Sequence, residues 1–368
     1  MRCPVNTSGI IRILLTDDSA VVRGALRQII ESAPDLKVVA TAPNGKRALE
    51  VLDQNEVDVV LLDIEMPEMD GLATLPLILQ RFPRVRVIMA SSLTQQGATI
   101  TMQALALGAV DYISKPSARA GSAALAGLSG EIIEKIRAIG GAAKRGRIAG
   151  LTPVKRVAAP IAVPRISVLG GHGGDNTPKV IAIASSTGGP NALVHVLKQL
   201  PRDLPLPILI TQHMPPLFTT LLAQRLQRET GRPCSEAVDG APILGGHTYL
   251  APGDKHFVLQ TREGKPYAKL TNDPPENHCR PAADPMLRSI SAAYGASVLT
   301  VVLTGMGEDG RRGCETVRQN GGRVIAQDEA TSVVWGMPGA VVHAGLAEWV
   351  LPLGEIAQKL STLCLVHA

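Results

Sequence analysis

The chain has 368 residues, of which 45% are hydrophobic, 19% charged and only 2% aromatic, with a formal net charge of +5. That length exceeds one ordinary domain and suits two, each able to bury its own core. No apolar stretch approaches the length of a bilayer-crossing helix, and the scarcity of aromatic side chains removes the stacking platform of single-strand nucleic-acid binders.

The first apolar run, Ile11-Arg-Ile-Leu-Leu-Thr16, ends at Asp17-Asp18. A second, Val57-Asp-Val-Val-Leu-Leu62, ends at Asp63, and Pro67 and Gly71 in the loop beyond it fix a tight approach to a helix. Val85-Arg-Val-Ile-Met-Ala90 ends at Ser91-Ser92, and Val110-Asp-Tyr-Ile-Ser114 ends at Lys115-Pro116. Short apolar runs bounded by polar residues read as buried strands of a parallel sheet, whose ligands sit beyond the carboxyl ends. Neighbouring strands would then bring three acids and one lysine to one crevice. Carboxylates that close repel one another, so the cluster needs a positive partner, and Mg²⁺ prefers oxygen ligands. Asp63 can then accept a phosphoryl group while Lys115 and the metal neutralise its charge. A lone aspartate at a strand end more often caps a helix or forms a turn; the joint placement is what favours a pocket.

This arrangement, over about residues 10–140, resembles the receiver domain of two-component response regulators, a five-stranded doubly wound fold. The resemblance implies that Asp63 is the phosphorylation site, that Asp17 and Asp18 hold Mg²⁺, and that Ser91 and Lys115 are the switch hydroxyl and the family's lysine.

After a last helix expected over about Ser122–Ile139, residues 141–178 read as a Gly/Pro/Ala-rich linker containing Lys144-Arg-Gly-Arg147, Lys155-Arg156 and Gly170-Gly-His-Gly-Gly174. Residues 119–179 carry 10 basic and 3 acidic groups, whereas residues 1–118 carry 11 and 13 and residues 180–368 carry 16 of each. The positive charge is a property of the linker, which reads as a solvated segment and gives no support to nucleic-acid recognition.

From residue 179 strands and helices alternate again, as in a doubly wound, mainly parallel sheet. Val180-Ile-Ala-Ile-Ala184 is followed by Ser185-Ser-Thr-Gly-Gly-Pro190 and a helix over Asn191–Leu200; Leu206-Pro-Ile-Leu-Ile-Thr211 ends at Gln212-His213. After a turn-rich stretch to Leu270, a helix is expected over Ala282–Tyr294, then Ser297–Leu303 as a strand, then Thr304-Gly-Met-Gly-Glu-Asp-Gly310. These strand ends offer Ser186, His213 and Asp309. A serine hydroxyl needs an imidazole to take its proton, and a carboxylate to hold that imidazole. The glycines around Thr187 and Met306 let backbone N–H groups face an oxyanion. Taken singly, each of the three is more readily a cap or a packed residue.

In order, Ala184-Ser-Ser-Thr-Gly-Gly189, Thr211-Gln-His-Met-Pro215, Ala251-Pro-Gly-Asp-Lys-His-Phe257 and Leu303-Thr-Gly-Met-Gly-Glu-Asp-Gly310 resemble the catalytic domain of chemotaxis protein-glutamate methylesterases. The resemblance implies that Ser186 is the nucleophile, His213 the general base and Asp309 the orienting acid, with Thr187 and Met306 as oxyanion donors. It also implies hydrolysis of glutamyl methyl esters on chemoreceptors, deamidation of receptor glutamines at the same site, a histidine kinase as phosphodonor, and a receiver that restrains the esterase until Asp63 is phosphorylated. No metal is expected in the esterase half. The chain departs from the family at Ala184-Ser185, where Gly-Ala is usual. Asn277-His-Cys-Arg-Pro-Ala-Ala-Asp284 matches more loosely, with His278 and Asp284 as site-lining groups; His256 lines the cleft or packs.

Two other readings stand beside this one. Gly305-Met-Gly-Glu-Asp-Gly310, with Asp328 after the next strand, is a literal dinucleotide fingerprint, although Asp309 would repel a pyrophosphate and the motif comes late. A response regulator with a non-catalytic, protein-binding output is the other. Five scattered cysteines without C-x-x-C spacing, and no signal-peptide pattern at Met1–Gly9, indicate a reducing cytoplasm.

Overall fold

The computed structural model describes residues 9–92, 94–115, 122–148 and 177–365, with no side-chain description for 122–127, 145–148 and 365. Pro116, Cys3 and most of the expected linker, including its Gly170–Gly174 run, therefore lie outside the described residues. The chain divides into two compact units between Lys155 and Arg156.

The first unit alternates β1 (Ile11–Thr16), α1 (Ala20–Glu31), β2 (Leu36–Ala42), α2 (Gly45–Gln54), β3 (Val59–Asp63), α3 (Gly71–Arg81), β4 (Arg86–Ser91), α4 (Gln95–Leu107), β5 (Asp111–Ser114) and α5 (Ser122–Ile148). The sheet runs β2-β1-β3-β4-β5, all parallel. Every residue of β3 is buried, as the continuous run Val59-Val-Leu-Leu-Asp63 demands of a strand covered on both faces. Four helices start on side-chain caps: Ser19 accepts from Val22 N–H, Asn44 from Arg47, Asp70 from Ala73 and Thr94 from Gly97. Helix α5 continues to Ile148, beyond the expected end at Ile139.

The second unit comprises β6 (Val180–Ser185), α6 (Gly189–Gln199), β7 (Ile208–Gln212), α7 (Phe218–Thr230), β8 (Cys234–Glu236), β9 (Thr248–Leu250), β10 (His256–Arg262), β11 (Lys265–Thr271), α8 (Ala283–Tyr294), β12 (Val298–Val302), α9 (Arg311–Gln319), β13 (Arg323–Gln327), α10 (Met337–His343), β14 (Trp349–Leu351) and α11 (Leu353–Leu365). Seven parallel strands form the order β14-β13-β12-β6-β7-β9-β8, and β10-β11 is a separate antiparallel hairpin. β6 and β12 are buried throughout, and Val180, Ala182, Ala184, Val298 and Val302 join Met286, Leu287 and Ile290 of α8 in one apolar cluster. Each fully buried Val, Leu, Ile or Met side chain contributes about 1.5–3 kcal/mol.

Unlike those four helices of the first unit, α6 and α9 begin on left-handed glycines, Gly188 (φ 78°) and Gly310 (φ 90°), with no side-chain cap. Both helix starts lie at the carboxyl edge of the central strands. Their first turns are satisfied locally instead: Gly189 N–H donates to Ser186 O, Arg311 N–H to Glu308 O and Gly313 N–H to Asp284 Oδ1.

Candidate active site and phospho-acceptor pocket

In the first unit β1 and β3 are neighbours, so Asp17, Asp18 and Asp63 meet, with one carboxylate oxygen from each lying within 4.8 Å of the others. Asp17 and Asp63 are buried and Asp18 is exposed. Lys115 Nζ, carried past the end of β5, lies 2.6 Å from Asp63 Oδ1 and 3.0 Å from Asp17 Oδ2. Burial pushes the Asp63 carboxyl up to about 6, against the pull of Lys115. Asp63 Oδ1 also accepts from Ile64 N–H at 2.6 Å, while Asp63 Oδ2 is buried with no hydrogen-bond partner among the described residues. An unpaired buried carboxylate oxygen facing two further carboxylates is a set of donors suited to a hard cation. The pocket opens on a cleft lined by Asp18, Ile64, Met66, Pro67, Gln96 and Ile100.

Ser91 ends β4, the strand beside β3, as expected. Its hydroxyl faces α4 in this structure: it accepts from Thr101 Oγ1 at 2.7 Å and is within 3.3 Å of Gly97 O. Thr101 drew no attention in the sequence.

In the second unit β6 lies between β7 and β12, and the loops leaving these three strands carry the groups singled out above. His213 follows β7 directly, and its N–H donates to Ser185 O at 3.1 Å; Ser186 N–H donates to Thr304 O at 3.1 Å. Asp309 Oδ2 lies 2.7 Å from His213 Nε2. An ionised carboxylate only accepts, so Nε2 carries the proton and Nδ1 is the ring nitrogen left for base chemistry. Asp309 also accepts from the N–H groups of Ala283 (2.6 Å), Asp284 (3.1 Å) and Gly310 (3.0 Å), and from Asn277 Nδ2 (2.9 Å). Burial opposes its ionisation, but His213 and the α8 amides outweigh that and hold the carboxyl below its usual range. At His213 burial likewise disfavours the imidazolium, and the hydrogen bonds with Asp309 and Cys279 raise its pKa above the ordinary value.

The two adjacent serines are in different positions. Ser185 is fully buried, and its Oγ donates to Gln212 Oε1 at 2.7 Å. Ser186 is half-buried at the edge, and its Oγ makes no hydrogen bond among the described residues. Gln212 Nε2 in turn donates to Ser186 O at 2.9 Å and lies 3.3 Å from His213 O, so one amide ties the two loops together. A Cβ at Gly305 would stand 2.9 Å from Ser186 Cβ, which makes glycine necessary there. Met306 N–H donates to no group among the described residues, and Thr187 opens the loop into α6.

Asn277 and Cys279 gave no sequence signal beyond the loose match of their segment. Asn277 Nδ2 bridges Asp309 Oδ1 and Asp284 Oδ2, both at 2.9 Å, and Cys279 Sγ lies 3.5 Å from His213 Nδ1. Asp284, buried at the start of α8, sits in the site as expected, whereas His278 is exposed. His256 is a packed residue: its Nδ1 accepts from Ala282 N–H and its Nε2 donates to Pro274 O. The dinucleotide reading fails on geometry. Asp309 is turned inward onto His213 and α8, and Asp328 is a turn former that accepts from Thr331 N–H and Oγ1.

A doubly wound unit with an acidic pocket, joined to a doubly wound unit whose edge pairs a histidine and an aspartate beside a serine, defines a two-part regulated protein of the α/β class. Residues 13–124 match the response regulator receiver domain and residues 181–360 match the CheB methylesterase family. The protein-glutamate methylesterase/protein-glutamine glutaminase of group 2 operon of Rhodospirillum centenum is 50% identical over 96% of this chain and 94% of its own length. The protein-glutamate methylesterase/protein-glutamine glutaminase of Azospirillum brasilense is 48% identical over 94% of this chain and 91% of its own. The crystal structure of the Thermotoga maritima CheB methylesterase catalytic domain superposes with a TM-score of 0.50 at 42% identity, covering 51% of this chain and 99% of that one. The chain belongs to the CheB methylesterase family, with a receiver domain in its first unit. Among the described residues no helix is long and apolar enough to cross a membrane.

Proposed function

We propose that the chain hydrolyses glutamyl methyl esters on chemoreceptors, releasing methanol, and deamidates receptor glutamines at the same site. The observation that carries this reading is the 2.7 Å contact of His213 Nε2 with buried Asp309, beside a half-buried Ser186 whose hydroxyl has no hydrogen-bond partner among the described residues. Ser186 Oγ attacks the ester carbonyl as Nδ1 of His213 takes its proton. Asp309, fixed by the amides of α8, stabilises the imidazolium that forms. The oxyanion falls to the N–H groups of Thr187 and Met306, each such donor contributing about 3–4 kcal/mol in the transition state. Nδ1–H then protonates the departing methoxide, and water resolves the acyl-enzyme with His213 again as base. An amide passes through the same acyl intermediate. No Ser186–His213 hydrogen bond is made among the described residues, and closing it belongs to the substrate complex.

Asp63 is the phosphorylation site in this proposal, with Lys115 pairing the transferred group and a histidine kinase as donor. The donor set of Asp17, Asp18 and Asp63 fits Mg²⁺, and those residues would hold it; when bound, the ion supplies positive charge against the phosphoryl oxygens. Ser91 turns from Thr101 toward the modified Asp63, so that phosphorylation is felt in α4. The protein acts in the cytoplasm, on the cytoplasmic parts of receptors, and binds no nucleic acid. The test is methanol release from methylated receptor membranes. Ser186→Ala is expected to abolish it and Ser185→Ala to retain it; the reverse result would move the nucleophile to Ser185.

A further inference from the structure

The turn over residues 276–279 touches both members of the His213–Asp309 pair. Glu276 and Cys279 exchange two backbone hydrogen bonds, of 3.2 and 2.8 Å, across Asn277 (φ 51°) and His278 (φ 63°). Asn277 anchors the turn on Asp309, and Cys279 Sγ is thereby set against His213 Nδ1, the ring nitrogen that Asp309 leaves as a base. A thiol within proton-transfer reach of an imidazole is an activated nucleophile. Cys279 is only partly buried, so a reagent can meet it. The other described cysteines lack these features. Burial pushes the thiols of Cys234 and Cys364 up to about 12 and about 11 and raises that of Cys314 further.

We propose that Cys279 is a modification site: a small-molecule disulfide exchanges with its thiol, and the mixed disulfide stops ester hydrolysis by covering the nitrogen of His213 that Ser186 must reach. The thiol proton passes to Nδ1 as Sγ attacks one sulfur of the disulfide. The Sγ–S bond forms, the S–S bond of the reagent breaks, and the departing thiolate takes the proton from Nδ1. Cys279 is oxidised and half of the reagent is reduced to a thiol, so no further oxidant enters. The inhibitory part rests on His213 being the esterase base; the exchange itself does not.

The experiment incubates the full chain with oxidised glutathione, follows each cysteine by peptide mass spectrometry, and measures methanol release in parallel. Cys279 is expected to couple roughly tenfold ahead of Cys234, Cys314 and Cys364. Activity should fall in step with that adduct and return with dithiothreitol. Cys279→Ala, read against its own untreated activity, should resist the reagent, and His213→Gln should slow coupling at Cys279 by roughly tenfold. Inactivation of Cys279→Ala at the parent rate, full hydrolysis by the Cys279 adduct, or unchanged coupling in His213→Gln would overturn the proposal. Untreated His213→Gln tests the base assignment separately: parent-level hydrolysis there would refute that assignment without touching the exchange.

Discussion

Two neighbouring hydroxyls at the end of β6 show how one residue step separates structure from chemistry. Ser185 is buried on Gln212, so Ser185→Ala leaves an amide oxygen unpaired and should cost about 1–3 kcal/mol in chemical denaturation while hydrolysis persists. Ser186→Ala should leave stability near the parent and remove hydrolysis. The sequence favours Ser186 only through the family motif it resembles; which side chain turns inward where the strand ends depends on a partner 27 residues away. The His213–Asp309 pair was legible as strand-end chemistry, but the route of its proton was not, since only the fold shows that Asp309 engages Nε2. The pH dependence follows from that contact. Catalysis needs neutral imidazole and Asp309 favours imidazolium, so kcat/KM should rise with pH through a pKa above the ordinary 6.5. Asp309→Asn should move this rise to lower pH and reduce the plateau by about 10³-fold or more; an unmoved rise would separate Asp309 from His213.

At the level of elements, the strands before each functional loop were readable because continuous apolar runs such as Val180–Ala184 and Val298–Val302 admit little but a buried strand. Their order in the sheet was not readable in the same way. That β12 pairs with β6 is what brings Thr304–Asp309 to Ser186, and it depends on contacts more than a hundred residues apart. The β10-β11 hairpin and the turn at 276–279 lacked a strong periodic signal, so Asn277 and Cys279 were missed. Close approach of β6 and β12 also predicts a constraint at Gly305. Gly305→Ala places a Cβ against Ser186 and Met337 Sδ, and should lower kcat/KM by about 10²-fold through displacement of the nucleophile. Retention of full activity would mean that the loop after β12 yields without disturbing Ser186.

For the whole molecule, the proposed function has the acidic pocket of the first unit govern chemistry that the second unit performs. Asp63 titrates near 6 because burial disfavours its charge, and a bound cation requires that charge. Mg²⁺ binding, measured by calorimetry, should therefore weaken as pH falls through 6, by up to about tenfold per pH unit; affinity constant from pH 7 to 5 would exclude Asp63 from the ion's site. The most direct measurement is methanol release from methylated receptor membranes, with and without acetyl phosphate, for the parent, Asp63→Asn and Ser186→Ala. Acetyl phosphate should stimulate the parent, leave Asp63→Asn at its basal rate, and do nothing for an inactive Ser186→Ala. Hydrolysis by Ser186→Ala at the parent rate, or an Asp63→Asn protein as inactive as Ser186→Ala, would contradict a phosphorylation input acting on a separate serine esterase.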